Sequence, residues 1–305
     1  MLLCDQYIMP ETLKDALVQW ADAPQGGRLV AGGTDLLPWA REGRAGDVKI
    51  PMLVDISRVA ELSGWSADGG RLHLGANLVY QLFLTDHALR RDLPCMPYCA
   101  VWFADDQIRE QATLVGNLVN ASPAADGTPA MLALNGEIEV ARLDGDEIVR
   151  RSQRLADFVR GPGKVGLNHD EIVTGVICDA LPGYGGAFEK VGQRRSLVIS
   201  AVCAACLVKP SDDGTTFGDV RLAMAGIGPV PVRLHHIEAF LVGKPVSAAV
   251  VHAASQLCEG LVNSRTRQEY RKYVVEGFVE RALLNALSDC GIELPVEDLM
   301  ETARA

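Results

Sequence analysis

The segment Ala31-Gly32-Gly33-Thr34-Asp35-Leu36 constrains this chain more than any other stretch. A short run from Arg28 to Ala31 precedes it and an apolar-rich one from Leu36 to Ala40 follows, so the region reads as strand, glycine turn, helix. Small residues at that junction let backbone N–H groups approach an anion closely, and a helix N-terminus favours negative charge. A pyrophosphate fits such a turn. An ordinary helix-capping turn would use the same Thr34 and Asp35, and at this point both readings stand. The spacing is neither that of a Walker loop nor Gly-x-Gly-x-x-Gly.

A second concentration of small and polar residues is Ala112-Thr113-Leu114-Val115-Gly116-Asn117-Leu118-Val119-Asn120-Ala121-Ser122-Pro123-Ala124-Ala125-Asp126. It lies within a loop-like stretch from Phe103 to Asp126, and long loops in compact domains usually serve function. Main-chain donors near Gly116 suit phosphate oxygens, and Asp126 suits ribose hydroxyls, which need an acceptor. A capped loop leading into a helix from Pro129 to Leu134 accounts for the same residues without a ligand.

At 305 residues the chain exceeds the usual single-core size, which favours two domains. A formal charge of -10 argues against a nucleic-acid partner, whose phosphates need clustered Lys and Arg. No run of about 18 apolar residues and no signal-peptide pattern is present, so the cytoplasm is expected and a membrane is not. The eight cysteines lie in apolar context, as reduced core thiols do. Cys203-x-x-Cys206 falls inside the apolar run Leu197 to Val208 and reads as burial rather than a metal or redox pair. No ferredoxin-type cysteine cluster occurs.

Periodicity predicts a helix over Glu11 to Trp20 and strands over Met52 to Ile56 and Arg71 to Ala76. Asp144-Gly145-Asp146 predicts a hairpin between Glu137 to Leu143 and Glu147 to Arg151, and another strand covers Glu171 to Ile177. The glycine-rich passage Asp179 to Gly186 suggests a domain boundary near 180. Beyond it, Leu197 to Lys209 and Asp219 to Ala225 read as antiparallel strands joined at Asp212-Asp213-Gly214. The rest reads as helices over Val232 to Val242, Ser247 to Val262 and Thr266 to Leu287, the last with Tyr270, Val274, Phe278, Ala282 and Leu283 on one stripe.

The two clusters, in this order, are more specific together than either is alone. With them the chain resembles the FAD-binding middle subunits of molybdenum hydroxylases, the group that includes bacterial xanthine, nicotinate and carbon monoxide dehydrogenases. The resemblance covers nearly the whole sequence. It includes Phe188-Glu189-Lys190-Val191 with Arg194-Arg195, the strand Asp219 to Gly228 followed by Pro229-Val230-Pro231-Val232-Arg233, and Tyr270-Arg271. Val115 stands where many members of the group have a second glycine, and Ser196 where an acidic residue is common.

The resemblance implies an α+β fold: an FAD-binding domain of two α/β subdomains over 1–179, a smaller C-terminal domain with an antiparallel sheet and helices over 180–290, and a tail over 291–305. It implies that Leu29, Val30, Ala31, Gly32, Gly33, Thr34, Asp35 and Leu36, with Thr113, Leu114, Val115, Gly116 and Asn117, cradle the pyrophosphate. Phe103, Asp126, Ile172 and Lys190 would line the rest of the FAD site, with Lys190 placed to stabilise reduced, anionic flavin. No residue is expected to act as acid, base or nucleophile, because the flavin carries the chemistry. Implied partners are a molybdopterin-binding large subunit and a [2Fe-2S] small subunit, assembled as a dimer of heterotrimers, with NAD, oxygen or another carrier as the electron acceptor. Trp39, Trp65 and Trp102 are candidates for a partner face. Two other readings compete: a free-standing flavin oxidoreductase, and a flavin-free scaffold of the same fold.

Overall fold

The computed structural model describes residues 2–194, 198–264 and 266–295. The chain starts with strand β1 (Leu3–Ile8) and helix α1 (Leu13–Ala21). Thr12 caps α1 by accepting from the Asp15 N–H, and Leu13, Ala16 and Leu17 turn inward, as the predicted period requires. Strand β2 (Arg28–Val30), helix α2 (Leu36–Glu42) and strand β3 (Lys49–Asp55) follow, and the three strands form a parallel sheet in the order β1-β3-β2.

Strands β4 (Trp65–Asp68) and β5 (Arg71–Gly75) open a second sheet. The chain then leaves it for a helical excursion: α3 (Leu82–Thr85), α4 (His87–Asp92), α5 (Cys95–Trp102), α6 (Asp106–Arg109), α7 (Leu114–Val119) and α8 (Gly127–Ala133). The stretch from Phe103 to Asp126, expected to be loop-like, therefore contains two short helices. Both are nucleated by side-chain caps, Asp105 accepting from the Ile108 N–H and Thr113 from the Gly116 N–H. Caps of this kind have no apolar period to reveal them.

Strands β6 (Glu137–Asp144) and β7 (Glu147–Arg154) form the predicted hairpin, with Asp144 opposite Glu147 across the turn. After helix α9 (Leu155–Phe158), the small hairpin β8 (Val159–Gly161) and β9 (Lys164–Val165), strand β10 (Ile172–Asp179) completes a five-stranded sheet in the order β4-β5-β10-β6-β7.

The remaining strands, β11 (Gly185–Val191), β12 (Val202–Pro210), β13 (Phe217–Ala225) and β14 (Val232–Arg233), make a four-stranded antiparallel sheet. Helices α10 (His235–Leu241), α11 (Ala248–Ser255) and α12 (Gln268–Asp289) follow β14. The fold is thus α+β, with separate parallel and antiparallel sheets. Alternate residues of β12 enter different cores: Cys203, Ala205 and Leu207 face the N-terminal core, whereas Val202, Ala204, Cys206 and Val208 face α10–α12. A sheet buried on both faces explains the continuous apolar run. It also puts Cys203 and Cys206 on opposite faces, which rules out a shared ion for that pair. All eight cysteines are free thiols; Cys4 is exposed, Cys290 is half-buried and the other six are buried.

Several expected boundaries shift. Val232 and Arg233 extend the sheet edge instead of starting a helix, pairing with Met224 and Ala223. The helix from Ser247 stops at Ser255, followed by a tight turn over Gln256–Cys258. On α12 the buried face is Val275, Phe278, Val279, Ala282, Leu283, Ala286 and Leu287, while Tyr270 is exposed. The first turn of α12 is tied down by the Arg271 guanidinium, which donates to the carbonyls of Ala201 and Gly226, rather than by apolar packing. The strand expected from Leu197 begins at Val202, and residue 197 lies outside the described residues, as do Arg195 and Ser196. No helix among the described residues is long and apolar enough to cross a membrane.

Candidate functional site

The loop from Ala31 to Asp35 leaves the end of β2 and enters α2. A side chain at Gly32 would place its Cβ 1.9 Å from the Gln111 carbonyl oxygen, so this residue is glycine because the second cluster passes directly against the first. Gly33 takes φ +67°, a left-handed conformation. Asp35 occupies the N-cap position of α2, yet its side chain caps nothing. It reaches across instead, its Oδ2 accepting from Asn120 Nδ2 at 3.1 Å. The ordinary capping role open from the sequence is therefore not what these residues do.

Among the described residues, the main-chain N–H groups of Gly32, Gly33, Thr34, Asp35 and Leu36 donate to no protein acceptor. Five successive donors without a protein partner, the first four on residues that stay accessible and the fifth on buried Leu36, leave the loop open to an outside anion. Leu29 and Val30 lie half-buried below the loop; Val30 packs on the small core of Leu36, Ile50 and Leu53.

The second cluster is arranged differently. Of the amides after Thr113, that of Leu114 donates to the Leu78 carbonyl at 3.0 Å and that of Asn117 to the Thr113 carbonyl at 3.1 Å. Gly116 N–H donates to Thr113 Oγ1 at 3.0 Å. The donors expected near Gly116 are thus largely used inside α7, and the first loop offers more to an anion than the second. Val115 sits in helical backbone with its side chain buried, which is why a glycine is unnecessary there. Asn117 Oδ1 accepts from Gly127 N–H at 3.0 Å, joining α7 to the start of α8.

Three of the remaining expected residues converge. Asp126, at the head of α8, is 6% exposed, and so is Lys190 of β11. Lys190 Nζ donates to Asp126 Oδ2 at 2.6 Å and to the Trp102 carbonyl at 3.3 Å, next to Phe103. Ser200 Oγ donates to Asp126 Oδ1 at 2.6 Å. Burial raises the Asp126 carboxyl above its ordinary range, and the Lys190 ammonium opposes that shift. Both Asp126 oxygens therefore already have donors, whereas ribose hydroxyls were the expected ones. Lys190 thus forms a buried ion pair. Ile172 lies apart at the start of β10, fully buried and paired with Ala141, where it forms core. The half-buried Phe103 stacks on Tyr80. Sequence reasoning missed Ser200 and Tyr80, whose flanking residues form no polar or glycine-rich cluster.

Trp39, Trp65 and Trp102 are all half-buried. The Arg44 guanidinium covers the Trp39 ring at 3.9 Å, Trp65 Nε1 donates to Asp86 at 3.0 Å, and Trp102 packs on the main core. The apolar side chains left most accessible include Tyr273 at 85% and Val101 at 64%.

A glycine-bearing loop with unpaired amides, held against a second loop beside an aromatic residue and a buried ion pair, is suited to a phosphate-bearing ligand. Residues 3–178 match the model of the FAD binding domain in molybdopterin dehydrogenase, and residues 187–286 match that of the CO dehydrogenase flavoprotein C-terminal domain. The chain belongs to this family of FAD-binding subunits. It is 30% identical to the xanthine dehydrogenase FAD-binding subunit of Escherichia coli O157:H7, over 94% of this chain and 98% of that one. It is 28% identical to the nicotinate dehydrogenase FAD-subunit of Eubacterium barkeri, over 92% and 96%. Among solved structures, carbon monoxide dehydrogenase from Hydrogenophaga pseudoflava superposes with a TM-score of 0.86 at 24% identity, covering 95% of this chain and 99% of the other. Quinoline 2-oxidoreductase from Pseudomonas putida 86 gives 0.83 at 25% identity, covering 94% and 98%.

Proposed function

We propose that this chain holds FAD in a heteromeric molybdenum hydroxylase, where it takes electrons from [2Fe-2S] clusters and passes them to NAD or another acceptor. In this reading a molybdopterin-binding large subunit and a [2Fe-2S] small subunit are its partners, the assembly is a cytoplasmic dimer of heterotrimers, and the substrate is chosen on the large subunit. The FAD-binding unit is residues 1–179, the C-terminal unit 180–290 and the tail 291–305. The observation that carries the proposal is the run of unpaired N–H groups from Gly32 to Leu36 beside a position where only glycine fits.

Leu29 to Leu36 would receive the pyrophosphate, with Thr113 to Asn117 holding the second loop, whose flanking Gln111 and Asn120 meet the first at Gly32 and Asp35. Phe103 would meet a cofactor ring, and Ile172 would act through packing. The flavin supplies the step between paired and single electrons, while the protein orients it and sets the charge around it. Lys190 contributes that charge as part of the Lys190–Asp126–Ser200 cluster. Lys190→Ala should lower the flavin's reduction potential; an unchanged potential would leave Lys190 a purely structural part.

The visible absorption spectrum of the purified chain, produced alone and with its neighbouring genes, tests the proposal. Flavin bands are expected, with iron–sulfur absorption and molybdenum only in the co-purified complex. A chain that stays colourless with added FAD and all partners would establish the flavin-free scaffold, and turnover of a reduced substrate by the isolated chain would establish the free-standing oxidoreductase.

A further inference from the structure

Tyr80 is fully buried, yet three separate parts of the candidate site meet on it. Its backbone belongs to a short antiparallel contact beneath the second loop: Val79 pairs with Thr113, and the Tyr80 N–H donates to the Ala112 carbonyl at 3.0 Å. Its ring lies flat on Phe103, with centroids 3.8 Å apart and planes within 1°. Its hydroxyl donates to Asn117 Oδ1 at 3.1 Å, the atom that also accepts from Gly127 N–H. A Cβ at Gly127 would lie 2.3 Å from that hydroxyl oxygen, so the start of α8, and with it Asp126, is seated against the phenol. Burial lifts the Tyr80 pKa well above its ordinary value, which keeps the hydroxyl a donor.

We infer that Tyr80 is a positioning residue of the FAD site, setting the plane of Phe103 and the orientation of Asn117 together. This rests on the FAD reading above. Tyr80 covers one face of the Phe103 ring, and Arg109 Nη1 anchors the Phe103 carbonyl at 2.7 Å. A cofactor ring is thereby limited to the opposite face or the edge of Phe103. Tyr80 touches no cofactor itself; it acts through the residues that do.

The test compares wild type, Tyr80→Phe and Tyr80→Leu, each as the full chain co-produced with the subunits it copurifies with. FAD affinity, visible circular dichroism of the bound flavin and the melting temperature of the FAD-stripped protein are measured. Tyr80→Phe keeps the ring and removes one hydrogen bond to a neutral acceptor, so FAD binding should weaken about three- to tenfold with the stripped protein's melting temperature little changed. Tyr80→Leu also removes the stack, and the flavin's visible circular dichroism should change as well. If Tyr80→Leu fails to fold, Tyr80→Phe still decides. Unchanged affinity and circular dichroism in Tyr80→Phe overturn the positioning role while leaving the FAD reading intact, whereas a wild type that takes up no FAD overturns the reading itself.

Discussion

Adding one methyl group at position 32 would set a carbon 1.9 Å from the backbone oxygen of Gln111. Neither partner can yield cheaply, because the obstacle is main chain. Gly32→Ala should therefore push the two loops apart, cost about 1–3 kcal/mol of stability and abolish flavin retention. The flavin-to-protein absorbance ratio after gel filtration checks this, and a normal ratio would show that the loops do not depend on that contact. At this scale the first loop was legible: adjacent glycines between a strand and a helix announced a place of close approach. The Asp126 site was legible only in part. Asp126 and Lys190 were both singled out for the cofactor site, but not their pairing with each other. Residues distant in sequence give no local sign that they will pair, and Ser200 completes the cluster from a third segment.

Among the elements, those with a clear period were read well and those built from caps were not. Helix α1 and the hairpin of β6 and β7 follow from spacing and an Asp-Gly turn, whereas α6 and α7 are helices too short for a period to announce them. Helix α12 carries a removable weakness. Gly277 sits mid-helix, exposed, with nothing within 4 Å of the place its Cβ would occupy. Gly277→Ala should stabilise the protein by roughly 0.5–1 kcal/mol in urea unfolding; a neutral or negative change would mean that the position is covered in the working protein.

The join between β7 and β10 gives a pH-dependent case. Glu171 receives both Nε and Nη2 of Arg151, at 2.7 and 2.6 Å, together with the Asn168 N–H at 2.8 Å. The Arg151 hydrogen bonds hold its carboxyl below the usual range. A carboxyl whose pKa falls on folding adds stability in full above its unfolded pKa, about 4.3, and loses it as pH drops through the lower folded value. Glu171→Gln should therefore melt below wild type at pH 7, and the gap should close toward pH 3. A gap that persists at low pH would assign the loss to packing.

At the level of the whole molecule, the Asp126–Lys190 pair joins the N-terminal excursion to the C-terminal sheet. Helices α5 and α8 pack on that sheet from one side and α12 from the other. Lys190→Met would leave the Asp126 carboxylate buried without its cation, at a cost of about 3–5 kcal/mol. Because the two cores share the sheet, wild type and variant should each unfold in one transition; separate transitions for α12 and the N-terminal sheets would refute the coupling.

The distribution of thiols has a practical consequence for following these changes. Burial raises the pKa of Cys95 and Cys258 to about 12 and moves those of Cys99, Cys178, Cys203 and Cys206 the same way. A thiol-selective dye should therefore attach first at Cys4 on β1, the one exposed cysteine, giving a labelling stoichiometry near one in the native protein. The later rise in that stoichiometry with denaturant would report the opening of both cores, because the chain already carries a single surface handle and a set of interior sentinels.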